Sequence, residues 1–235
     1  GGGDKGAGPA ADANATLADL KAKKAAAMEA ARAVFIREER ERLEAQRRER
    51  EAWVEQLRTQ PVTYGQVITV QHSETSNLLT ATSFRYYHSQ GSGQHQVVGQ
   101  EGEDGYSHWR VLPRAGKRWQ EYKDVPVRYG ETVRLLAVRT GRVLHSHGLP
   151  SPVSGGNEVT NFNDESGSLD TNDNWSPKPA GAGAGEAWTL ATPFLLQHAP
   201  TGAELAMQPV NGSNPKSNFT MGHPEVSARR RGTDG

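Results

Sequence analysis

The chain reads as a mainly β protein, a β-trefoil of three hairpin repeats preceded by one long charged α-helix. Three observations predict this. A hairpin-rich pattern recurs three times between residues 62 and 228, with no helical period in it. Residues 17–58 contain neither Gly nor Pro and are dominated by Ala, Glu, Arg, Lys and Gln, the strongest helix formers. One hairpin unit cannot bury its apolar face alone, whereas three closing on one another can, and closure also removes exposed sheet edges.

The middle repeat is the clearest. Val133, Leu135 and Ala137 alternate, Thr140-Gly141 makes a turn, and Arg142 to His147 forms a second short run. A Pro/Ser/Gly loop follows, then Glu158 to Phe162, and a polar loop ends on Trp175. The first repeat runs from Val67-Ile68 through a turn near Thr75-Ser76 to Leu78-Leu79, then through Gly91-Ser92-Gly93-Gln94 to Trp109. Tyr64-Gly65 returns as Tyr129-Gly130, and Trp109 returns as Trp175, each about 65 residues on. In the third repeat Thr201-Gly202 stands where Thr140-Gly141 does, and Asn211-Gly212-Ser213 replaces Ser154-Gly155-Gly156. Its closing Trp strand is missing, so the trefoil either closes imperfectly or takes that strand from another segment.

These residues carry a resemblance. Leu144-His145-Ser146-His147, the loop Pro150 to Gly155, Asn157-Glu158-Val159 and Asp173-Asn174-Trp175 resemble the MIR repeat. That repeat occurs in protein O-mannosyltransferases, inositol trisphosphate and ryanodine receptors, and stromal cell-derived factor 2. The likeness to the last is greatest, and it spans roughly Val62 to Val226. The resemblance implies a β-trefoil whose function sits on loops over a rigid core, which means binding and not catalysis.

The expected organisation follows. Residues 1–14, rich in Gly, Ala and Pro, are disordered; residues 15–60 are the helix, capped at Thr16 and stopped by Pro61. Residues 61–228 are the trefoil, with repeats at 62–113, 126–177 and 188–228, and residues 229–235 are a basic and polar tail. On the helix, Glu38–Arg42 and Glu44–Arg48 have the favourable i,i+4 order. Heptads break at Arg37–Glu41, against a long symmetric coiled coil. Val34, Phe35 and Ile36 make an apolar patch expected to anchor a protein partner, while Trp53 and Leu57 are expected to be covered by the trefoil. Pro177 to Gly185 reads as a flexible insertion.

Composition narrows the function. Lys plus Arg equals Asp plus Glu at 27 each, so overall charge offers no argument for nucleic acid or an anionic membrane. The basic stretch Arg114 to Lys123, with Trp119 and Tyr122, is read as an inter-repeat loop whose Trp119 has Trp188 as its match before repeat three. There is no cysteine, which excludes disulfides and thiolate metal sites, and no apolar run long enough to span a membrane. The first residues lack the apolar core of a signal peptide, and the last four are not a retention signal. These features favour an adaptor or structural subunit of a larger cytoplasmic assembly, cytoskeletal or ciliary, with protein partners. The alternative is a lumenal endoplasmic-reticulum factor that assists chaperones or O-mannosylation.

No nucleophile triad, paired carboxylates, P-loop or dinucleotide glycines occur, so no enzyme activity and no cofactor are expected. His145 and His147 point to one face of a strand and could share a metal, but no third ligand lies nearby in sequence, so no metal is expected. A ligand groove, if one exists, falls on repeat two, around Arg142, His145, His147, Asn157 and Glu158. Thr140-Gly141-Arg142, with Arg134 and Arg139, invites comparison with phosphate recognition, and glycan or phosphoinositide ligands are weighed as secondary.

Overall fold

The computed structural model describes residues 9–86, 91–164, 169–181, 183, 185–208 and 215–230. The chain divides into two compact units, 1–56 and 57–235. Helix α1 runs Pro9–Arg58, beginning earlier than residue 15. Pro9 explains the early start: a first-turn proline forfeits no helical hydrogen bond, and the Ala-rich stretch after it propagates well. Of the segment expected to be disordered, residues 1–8 lie outside the described residues. Ion pairs on α1 include Arg42 with Glu39 at 2.6 Å and Arg47 with Glu51 at 3.5 Å, and among the described residues neither Glu38–Arg42 nor Glu44–Arg48 forms. Val34, Phe35, Ile36 and Trp53 are exposed on α1.

Among the described residues, eleven strands build the second unit. Repeat one holds β1 (Val67–Ile68), β2 (Leu78–Arg85), β3 (His95–Gln100) and β4 (Trp109–Pro113). Repeat two holds β5 (Val133–Ala137), β6 (Arg142–Pro150), β7 (Asn157–Asp164) and β8 (Trp175–Pro179). Repeat three holds β9 (Phe194–His198), β10 (Glu204–Gln208) and β11 (Glu225–Arg229). All pairings are antiparallel. The second and third strands of each repeat form a hairpin, and β4 and β8 carry the sheet on to β5 and β9. Pro177 and Pro179 belong to β8, so the expected insertion starts later than Pro177; the Pro177 carbonyl receives the Gly130 N–H at 2.8 Å. Likewise Arg229 ends β11 and is not part of a tail.

Among the described residues no twelfth strand follows β11, yet the barrel is tied at one end. The Val62 N–H donates to the Trp188 carbonyl at 2.7 Å, Trp188 to Val127 at 2.8 Å, and Val127 to Val62 at 2.8 Å. Three segments, one ahead of each repeat, thus form a closed ring of main-chain bonds around buried Val62, Val127 and Trp188. Trp188 is therefore the counterpart of Val62 and Val127, not of Trp119. Trp119 packs instead over Gly65, where an added Cβ would meet its ring at 3.0 Å, and the Arg110 guanidinium lies 5.4 Å from that ring.

The repeat markers have defined tasks. Gly65 and Gly130 both take positive φ, 87° and 92°, which permits the turn after Tyr64 and Tyr129, both buried. Trp109 and Trp175 are fully buried, and each indole N–H donates to the carbonyl of a core leucine, Leu79 at 2.8 Å and Leu144 at 3.0 Å. Around them pack Leu135, Val97, Val159 and Val226.

Candidate functional site

At the other end of the barrel the third strands meet in a triangle. Gln96 lies opposite Thr160, Glu158 opposite Ser227, and Glu225 opposite Val98. Each of Gln96, Glu158 and Glu225 directly precedes a core valine, so strand alternation turns all three away from the core interior. All three are nonetheless buried, because each holds the loop of the preceding repeat. Glu225 accepts the Ser154 N–H at 2.8 Å, the Val153 N–H at 2.9 Å and the Ser151 hydroxyl at 3.1 Å. Glu158 accepts the Ser92 N–H at 3.2 Å. Gln96 donates its amide to the Phe219 carbonyl at 2.7 Å.

Ser92 and Ser154 are equivalent in this scheme. Each precedes a left-handed glycine, Gly93 or Gly155 with φ of 70° and 72°, and its hydroxyl accepts the N–H two residues on, Gln94 or Gly156. In repeat three the same place is Met221-Gly222, with φ of 81° at the glycine, and not Asn211-Gly212-Ser213, which lies outside the described residues; the carboxylate is replaced by the Gln96 amide. Two charge-assisted loop clasps and one neutral one result. Tyr86 is buried close enough to feel both carboxylates; burial, then the charges of Glu225 and Glu158, push its phenol well above its usual range.

The predicted group on repeat two is split by this arrangement. His147 faces Glu158, Nε2 to Oε2 at 3.1 Å. His145 turns instead to Asp173, Nδ1 to Oδ1 at 2.8 Å, with Asp170 at 3.8 Å. The rings touch edge to face, 5.3 Å between centroids, yet each histidine has its own carboxylate. Asn157 sits opposite Pro150 and Ala228 at the strand end. Arg142 lies at the far end of β6 from the clasp. The five residues therefore do not form one groove. Arg134 and Arg139 are separate too: Arg134 is buried and donates to the Pro113 carbonyl, and Arg139 stacks on Tyr106.

Asp170 and Asp173 are the residues that sequence spacing missed. They bring a His-Asp-Asp set together within 4.8 Å, supplying the ligand partners that were not expected near His145. The set is internally hydrogen-bonded. The Asn163 amide reaches Asp170 Oδ2 at 3.1 Å and Asp173 Oδ2 at 3.2 Å, and Asp170 Oδ1 accepts the Asn172 N–H at 2.9 Å. Next to it the buried His198 ring bridges the Thr201 hydroxyl at 2.8 Å and the Asn172 carbonyl at 2.9 Å, and leans on Trp175 at 4.9 Å. Burial, helped by the neighbouring His145 and His147, holds the His198 imidazole below its usual value, against the pull of the Asn172 carbonyl and Asp173. Asp-x-x-Asp ahead of the repeat-closing Trp was the available signal, visible as Asp170 and Asp173 before Trp175.

Comparison with known proteins agrees with this architecture. The stromal cell-derived factor 2-like protein of Arabidopsis thaliana is 37% identical over 145 residues, 61% of this chain and 63% of that protein. Stromal cell-derived factor 2-like protein 1 of Mus musculus is 34% identical over 155 residues, 66% of each. The chain thus spans just under two thirds of the length of these relatives. Among solved structures, the Arabidopsis protein superposes with a TM-score of 0.63 at 33% identity, over 72% of this chain and 88% of that one. A chain of the S. cerevisiae protein O-mannosyltransferase complex bound to the sugar donor matches with a TM-score of 0.60 at 27% identity, over 74% of this chain but 24% of that one. These relatives overturn the expectation of a cytoskeletal or ciliary adaptor, and they leave the cytoplasmic placement without support. That expectation rested on the charged helix, whereas the likeness lies in the trefoil. No described helix is long and apolar enough to cross a membrane. A model of the MIR domain matches residues 60–234, and the chain belongs to the MIR domain family.

Proposed function

We propose that this chain is a non-enzymatic binding module of the stromal cell-derived factor 2 type, a lumenal endoplasmic-reticulum factor that assists chaperones through protein contacts. The observation that carries the reading is the identity of 34–37% to stromal cell-derived factor 2-like proteins over 145 and 155 residues. The site chemistry supports binding over catalysis. Glu225 and Asp173 are occupied by main-chain donors, a histidine and an amide, and the Ser146 hydroxyl donates to the Glu158 carbonyl at 2.9 Å. Groups so engaged hold loops in place and are not available as a general base or nucleophile. The exposed Val34, Phe35 and Ile36 on α1 offer an apolar patch for a protein partner. Recognition of O-mannosyl glycans is a second reading, favoured by the likeness to the transferase chain.

The test is to express the tagged full-length protein in its own cells and locate it. Lumenal staining, with chaperones of the compartment recovered after cross-linking, supports the reading. A cytosolic signal with no chaperone recovered would sink it.

A further inference from the structure

We propose that Asn218, on the loop of repeat three, is an acceptor for an N-linked glycan, attached while the chain is in the lumen of the endoplasmic reticulum. Asn-x-Ser/Thr sequons begin at Asn14, Asn174, Asn211 and Asn218, and none has proline at its middle position. Asn211 and the side chain of Asn14 lie outside the described residues. The fold separates the other two. Asn174 is spent on the barrel. It is half-buried, its N–H donates to the Thr171 carbonyl at 3.0 Å, and its own carbonyl accepts the Ala199 N–H at 2.9 Å. Its side-chain oxygen accepts the Ala115 N–H at 2.9 Å. The rest of that sequon is buried, Trp175 in the core and Ser176 with its hydroxyl donating to the Glu131 carbonyl at 3.1 Å. A bulky sugar on the Asn174 carboxamide conflicts with the seat of the Ala115 loop.

Asn218 is the opposite case. It is exposed, in a short 3-10 helix, Pro215–Thr220, that leads to β11. Its carbonyl accepts the Met221 N–H at 3.3 Å, while its carboxamide makes no hydrogen bond among the described residues. The backbone just after it is anchored. The Phe219 carbonyl accepts the Gln96 amide at 2.7 Å, and the buried Thr220 donates its hydroxyl to the His223 carbonyl at 2.7 Å. The fold thus fixes this sequon and leaves its asparagine in solvent, where a bulky modification costs no packing. Phe219 and Met221 beside it expose apolar surface that the nonpolar face of a sugar can cover.

The co-reactant is a lipid-pyrophosphate-linked oligosaccharide. Nδ2 of Asn218 bonds to the anomeric carbon of the sugar, and the bond from that carbon to the pyrophosphate oxygen breaks. Nδ2 loses one proton, and the lipid pyrophosphate leaves. Transfer acts on the extended chain, before the Thr220 hydroxyl is taken up by His223. The folded state then decides which modified chain can be seated, and it seats one modified at Asn218. The inference rests on the lumenal reading, because the sugar donor is used on that side of the membrane.

The experiment expresses the full chain behind an added secretion leader, which forces lumenal entry, and digests the product with an endoglycosidase that removes N-glycans. A downward gel shift is expected. One step of it disappears in N218Q and T220A and remains in T220S, which keeps the hydroxyl, and in N174Q. No shift at all, or a shift that N218Q leaves whole, overturns the site. Because Asn218 is exposed, N218Q is expected to unfold at the same temperature as the digested parent. The chain without the added leader, expressed in its own cells, tests the placement separately. An N218Q-sensitive shift there supports both. A shift seen only with the added leader sinks the lumenal placement and leaves the acceptor assignment standing.

Discussion

Repeat two and repeat three are built on the same pattern, yet they bury themselves differently. Every residue of β5 is buried, and so is the run Val143 to Ser146 of β6. In β9 only Leu196 and His198 are buried, and all five residues of β10 stay half-exposed. The turns do not explain this. Gly141 and Gly202 have φ of 67° and 71°, and each N–H returns to the residue four back at 2.8–2.9 Å. The difference lies in the fourth strand. Repeat two has β8, whose Trp175 fills the space beside Leu144, and among the described residues repeat three has no equivalent beside Leu205. Local geometry is thus repeated faithfully, while burial depends on a strand arriving from further along the chain.

The largest test of that contrast is a pair of truncations. Trp175→Ala should cost about 3–5 kcal/mol, the loss for a large fully buried aromatic, whereas Leu205→Ala should cost less, about 2 kcal/mol, because its side chain is only partly buried at the edge of the core. Urea unfolding of the two variants measures it, and equal losses would break the comparison.

The clasps give the next effect. Glu225→Ala strands three donors of the repeat-two loop and should cost about 2 kcal/mol, read by the same unfolding experiment. Glu158→Gln should cost about 1 kcal/mol or less, since Gln96 already does this work on repeat three with an amide. A Glu158→Gln loss as large as that of Glu225→Ala would show that the two charged clasps are not graded by their donors.

The junction of the two repeats should respond to acid through His198. Its folded-state value is depressed mainly by burial, so the unfolded chain takes up the proton first as pH falls. The stability associated with the neutral ring is fully present above pH about 6.5 and is lost as pH drops through the folded value. Thermal midpoints between pH 7.5 and 5 should fall for the parent and fall less for His198→Gln. Identical slopes would mean that His198 is not the sensor.

The smallest effect is expected on α1. Phe35→Ser alters an exposed position and should leave the unfolding of the trefoil within about 0.5 kcal/mol. A larger loss would mean that the helix shares the trefoil's core.

Much of this was legible in the residues alone. Alternation, Gly-bearing turns and the spacing of Tyr-Gly and Trp determined three hairpin repeats, because a strand's two-residue period and the need for a left-handed turn residue are local demands. The helix was legible for the same reason, since propensity and the absence of a breaker act within a few residues. Tertiary structure decided what lies between repeats. Glu158, read as a ligand residue, became a loop clasp because its partner Ser92 sits 66 positions away. Asp173 joined His145 through a loop of unpredictable path, and Trp188 found Val62 and Val127 only when three distant segments closed into a ring. The register between repeats is set by closure of the whole barrel, which no window of adjacent residues contains.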